Sequence, residues 1–141
     1  MTEIPPRALA LVLCDDVYQN SNGKHALVGL FGGITAEKFP ARHPKMCVYI
    51  AITDTRPGSK ARIEVVNGST NEPIAGVEGP IPDGPGPLAV CEMFTEIGNI
   101  TFPEPGKYYV RFWGNGTLLL ERPIHVHQTA RPEPRDEPAP E

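Results

Sequence analysis

Lys107-Tyr-Tyr-Val-Arg-Phe-Trp113, continued by Gly114-Asn115-Gly116, is the stretch whose reading decides the fold. Tyr108, Val110 and Phe112 take one side, and Tyr109, Arg111 and Trp113 take the other. That two-residue period belongs to a strand with one face buried. Pro105-Gly106 ahead of it is a turn signal. Asn115-Gly116 behind it supplies the positive φ of a tight hairpin, so Thr117–Val126 is predicted to return antiparallel. Pro123 in that return suits an edge or a bulge.

The same pattern repeats outward. Ala8–Tyr18 reads as a strand with Leu9, Leu11 and Leu13 on one face and Ala8, Ala10, Val12 and Cys14 on the other. Asn22-Gly23 turns it into a returning strand, His25–Ile34, whose glycines suggest a bulge or a close backbone approach. Phe39-Pro-Ala-Arg-His-Pro44 holds two prolines and is predicted as a crossing segment outside any central strand. Lys45–Thr53 is a strand, Arg56-Pro-Gly-Ser59 a type II turn, and Ala61, Ile63 and Val65 mark a half-buried strand. Pro73–Gly79 is a short edge strand and Gly79–Pro87 an irregular loop. Leu88–Thr95 is a strand that Asn99–Phe102 extends past Gly98. From residue 128 the chain is rich in proline and acid and is expected to be a disordered tail.

Composition bounds the class. The chain has 141 residues, 17 of them proline and 14 glycine, which disfavours long helices. The expected organisation is one β-sandwich domain over 1–127 and a tail over 128–141, with seven to eight strands. The formal net charge is −4, so no basic footprint for nucleic acid is present. The start of the chain lacks a signal-peptide pattern, and Leu9–Leu13 is too short for a membrane span, so the expected location is the cytoplasm without membrane contact. Cys14, Cys47 and Cys91 are odd in number and widely spaced, which fits buried thiols.

Two resemblances add to this. Pro105-Gly-Lys-Tyr-Tyr-Val-Arg-Phe-Trp113 resembles the proline-glycine turn and tyrosine-led strand near the C-terminus of many immunoglobulin-like domains. It implies an immunoglobulin-like antiparallel β-sandwich, although Trp113 follows all three cysteines and the usual disulfide is unmatched. The runs Leu11-Val-Leu-Cys-Asp, Leu27-Val-Gly-Leu-Phe-Gly-Gly-Ile and Phe39-Pro-Ala-Arg-His-Pro are similar to a family of small bacterial proteins of unknown function. That resemblance implies a compact β-sandwich and a bacterial source, and carries over no site residues.

No catalytic constellation stands out. Asp15 and Asp16 read as a strand end, and Cys14 and Cys91 lie in apolar strand sequence where thiols are inert. His125 and His127 point the same way and would need a third ligand, such as His25, His43 or an aspartate, to hold a metal. Four residues make the candidate binding surface: Arg42 and His43 in the crossing segment, and Tyr109 and Trp113 on one face of their strand. Ala8–Cys14 and Met46–Thr53 are apolar on both faces, so a loop or a second subunit must cover the second face. The expected function is a non-catalytic binding or assembly module, possible as a homodimer or with a protein partner, without a cofactor. A small metal-dependent enzyme and a carbohydrate-binding sandwich stand as alternatives.

Overall fold

The computed structural model describes residues 4–82 and 86–130. Among them the chain forms nine strands: β1 (Arg7–Gln19), β2 (His25–Leu30), β3 (Gly33–Ala36), β4 (Ala41–Thr53), β5 (Lys60–Asn67), β6 (Pro73–Pro80), β7 (Cys91–Phe102), β8 (Gly106–Gly114) and β9 (Thr117–Gln128). They make a four-stranded sheet ordered β2-β1-β4-β7 and a five-stranded sheet ordered β3-β9-β8-β5-β6. Every pairing is antiparallel except β3 with β9. Among the described residues no helix is long and apolar enough to cross a membrane.

The core is the set of inward faces that the alternation dictates. Leu11, Leu13, Met46, Val48, Ile50, Ile52, Ile97, Ile100 and Phe102 come from the four-stranded sheet. Ala61, Ile63, Val65, Tyr108, Val110, Phe112, Ile124 and Val126 answer from the other. Each fully buried side chain of this size contributes roughly 1.5–3 kcal/mol. The rings of Phe102 and Tyr108 meet edge-on at 4.9 Å, joining β7 of one sheet to β8 of the other.

The turns follow their chemistry. Gly58 takes φ 81° and Ser59 N–H donates to Arg56 O at 3.2 Å, the type II turn expected there. Asn115 (φ 49°) and Gly116 (φ 80°) both lie in the left-handed region that a two-residue hairpin needs.

Several elements depart from the sequence reading. The ladder between β1 and β4 shifts register between Ala8 and Ala10. That bulge turns Leu9 out into solvent, where it is about half exposed, while Ala8 packs on the core. Residues 25–34 are two strands in different sheets, because Phe31-Gly32 carries the chain across from β2 to β3. Phe39–Pro44 is a crossing segment only in part: Ala41–Pro44 begin β4, a central strand. Pro44 is tolerated because β1 pairs with β4 only as far as Cys47, and the ladder to β7 skips Pro44 and Asn99. The same reasoning admits Pro123. It stands opposite Tyr109, and on its other side β3 reaches only His125–Gln128. β7 starts at Cys91, three residues later than expected, and runs unbroken to Phe102. β9 ends at Gln128, and Thr129 N–H donates to Ala36 O at 3.0 Å. The tail expected beyond that point, from 131 on, lies outside the described residues, as do residues 83–85 of the irregular loop.

Candidate functional site

The second apolar face of β1 and β4 is covered, and the cover is the chain's own hairpin. Cys14, Cys47 and Ala51 lie on the outer side of the four-stranded sheet, yet they are 0%, 3% and 7% exposed. Cys14 and Cys47 stand directly opposite one another, and Cys47 Sγ–H reaches Asp15 O at 3.4 Å. Burial pushes both thiols above their ordinary pKa.

Past this point β1 leaves β4 and pairs only with β2. Gly29 in β2 takes φ 75°, and a Cβ there would collide with the Asp15 carboxylate. Only glycine lets the two strands approach and bend here. The far end of the hairpin comes back over the outer face. His25 Nδ1 lies 3.1 Å from Glu92 Oε1, and its ring sits 6.3 Å from Tyr49 and 5.8 Å from Phe94. Tyr49 hydroxyl also donates to Glu92. Burial, then the Glu92 hydrogen bond, pushes the Tyr49 pKa up to about 12. Hydrogen bonds from Tyr49 and His25 hold the Glu92 carboxyl below its usual range. Lys45 on β4 pairs with Asp16, fixing the base of the hairpin.

The hairpin's other face is open. Val17 and Leu27, opposite one another, are half-buried, whereas Tyr18, Val28 and Leu30 are 57%, 48% and 65% exposed. Tyr18 and Val28 share one side of the ribbon, since their register partners Ala26 and Asp16 alternate with Leu27 and Val17, and Leu30 follows beyond the bend at Gly29. β2 is also a sheet edge. Its sequence, His25-Ala-Leu-Val-Gly-Leu30, holds no proline and no carboxylate, lysine or arginine. The other edges are guarded: β7 carries Glu92 and Glu96, β6 carries Glu78 and begins and ends in proline, and β3 is four residues long.

The four residues expected to bind lie apart. Arg42 and His43 are on β4 in the four-stranded sheet, and Tyr109 and Trp113 are on β8 in the other. Arg42 is exposed. His43 turns in with its register partner Ile100, its ring 5.7 Å from Phe31 and its Nε2 buried without a hydrogen bond among the described residues. Tyr109 and Trp113 share the outer face of β8, half-buried, and their rings are occupied. The Arg62 guanidinium lies 4.9 Å over Trp113, whose indole N–H donates to Glu64 at 2.9 Å. Lys107 and Arg111 flank Tyr109 at 5.5 and 5.8 Å. Arg111 is itself held by Glu121 at 2.6 Å.

His125 and His127 stack at 5.9 Å on β9, away from His25 and His43. No group of three histidine, cysteine or acidic side chains among the described residues could hold a metal. Asp15 and Asp16 do not end β1, which runs on to Gln19, and they serve the hairpin base instead. The sequence reading passed over the β2 edge. Its signal was legible as the eight consecutive residues without a formal charge, His25–Gly32, between Lys24 and Gly33.

A search of curated proteins returns no match. A solved structure, the Pseudomonas fluorescens alkylpurine DNA glycosylase AlkC bound to DNA containing an abasic site analog, aligns with TM-score 0.43 and 14% identity. The alignment covers 68% of this chain, which spans 28% of that one. A family model matches residues 9–127, from β1 almost to the end of β9, and carries the description "Family of unknown function (DUF6941)". The chain belongs to that family.

Proposed function

We propose that this protein is a non-catalytic binding or assembly module that contacts another folded chain through the open side of the β1–β2 hairpin. The observation that carries the reading is the unguarded β2 edge with Tyr18, Val28 and Leu30 exposed beside it. Exposed apolar residues on an unprotected strand edge are the feature that soluble proteins otherwise remove. The aromatic face of β8 gives less support to carbohydrate stacking, since Arg62, Lys107 and Arg111 already lie against its rings. The two stacked histidines, without a third donor beside them, give little support to metal-dependent chemistry.

An immunoglobulin-like frame is part of this reading. Tyr108 hydroxyl donates to Glu104 O at 2.6 Å, four residues upstream, as the tyrosine corner of such domains does. The order β9-β8-β5-β6 has the succession of the G, F, C and C′ strands in variable-type domains.

The test is native mass spectrometry of the tagged full chain isolated gently from its own host, beside Leu30→Lys. The expected result is a complex heavier than one chain for the wild type and one chain for the variant. A single chain in both samples removes the reading.

A further inference from the structure

The geometry points to a second copy of this chain as the occupant of the β2 edge, joined antiparallel about a two-fold axis that passes through Val28. This rests on the reading of the hairpin as the contact surface. An isologous contact requires the edge to be complementary to itself, and β2 is. With Val28 on the axis, Ala26 of one copy stands opposite Leu30 of the other, and Leu27 stands opposite Gly29. On each face of the joined ribbon a large side chain therefore meets a small one. The pairing ends there, since Phe31-Gly32 turns away from the edge toward β3 and leaves His25 and Lys24 beyond the joined residues.

Moving the axis by one residue, to Leu27, would again set large against small, Val28 against Ala26 and His25 against Gly29, but would bring the Lys24 ammonium opposite the apolar Leu30. The charge pattern thus selects Val28. It also selects β2 over the other edges. A copy meeting its own β7 edge would bring Glu92 and Glu96 against their like, and like charges across a strand pair are destabilising. Joined at β2, the two four-stranded sheets become one continuous sheet of eight, and Val28 and Leu30 leave solvent.

The experiment uses the purified full chain on a Cys91→Ser background, since Cys14 and Cys47 are buried. Sedimentation velocity from micromolar to near-millimolar concentration reads the mass. Val28→Cys, Ala26→Cys and Leu30→Cys are then oxidised with glutathione disulfide, which takes up the two electrons and two protons of each new bond. The expected result is a two-chain species at the upper concentrations. Val28→Cys cross-links to itself. Ala26→Cys and Leu30→Cys each stay uncross-linked alone and join when mixed. Val28→Lys, a change at an exposed position, lowers the mass to one chain while keeping the wild-type far-UV spectrum. A single chain at every concentration overturns the inference and leaves the binding reading standing if the native complex holds a different chain. Self-association without the Val28 cross-link overturns the axis and assigns the contact elsewhere.

Discussion

Tyr108 serves two ends of one side chain. Its ring packs against Phe102 between the sheets, and its hydroxyl bonds Glu104 O and accepts from Glu104 N–H at 3.3 Å. Tyr108→Phe keeps the ring and strands both backbone groups. It should cost about 1–2 kcal/mol, read from urea denaturation. The role was half legible: proline, glycine and a leading tyrosine announce the turn, but the acceptor was not readable. Glu92 is the opposite case. Its partners Tyr49 and His25 lie 43 and 67 residues away, and no spacing rule joins them. Its folded pKa is depressed, so its contribution is present above the unfolded value of about 4.3 and fades as pH falls through the folded value. The stability difference between wild type and Glu92→Gln should therefore shrink below about pH 4. Tyr49 carries the reverse sign. Its folded pKa is raised to about 12, so its contribution is complete below the unfolded value near 10 and is lost between the two. Absorbance titration at alkaline pH should show a late tyrosine that moves toward the ordinary range in Glu92→Gln.

Among the elements, the β1–β2 hairpin depends on one backbone position. Gly29 combines φ 75° with the Asp15 carboxylate lying where a side chain would start. Gly29→Ala should cost about 1–2 kcal/mol for the left-handed backbone, and more for the displaced carboxylate. Thermal unfolding of Gly29→Ala beside Gly29→Ala/Asp15→Ala separates the two, with the double variant the more stable. The strands themselves were largely legible, because alternation and Asn-Gly or Pro-Gly turns are local. What sequence missed was set by neighbours. The bulge that turns Leu9 outward is a property of the β1–β4 register. Pro44 was read as excluding a central strand, yet one strand can be central along half its length and an edge along the other. The split of 25–34 between two sheets is likewise invisible to periodicity.

At the scale of the whole molecule, the all-β class followed from composition and turns, whereas the partners of each strand did not. The order β2-β1-β4-β7 against β3-β9-β8-β5-β6 needs contacts across nearly the full chain, as in the bond from Arg122 to Leu11 O at 3.1 Å. The candidate surface was legible only as a question, namely what covers the second faces. The answer, a hairpin laid back over its own sheet, leaves two thiols side by side beneath it. Those thiols make the hairpin's lifting countable. An alkylating reagent marks Cys14 and Cys47 only in molecules whose hairpin has come away, while Cys91, half-exposed at the start of β7, is marked first. Mass spectra taken through the reaction should show one early adduct and then two that arrive together. Gly29→Ala should hasten the late pair and leave the early one unchanged. The protein thus carries its own clock for the local opening of the element that holds the proposed binding surface.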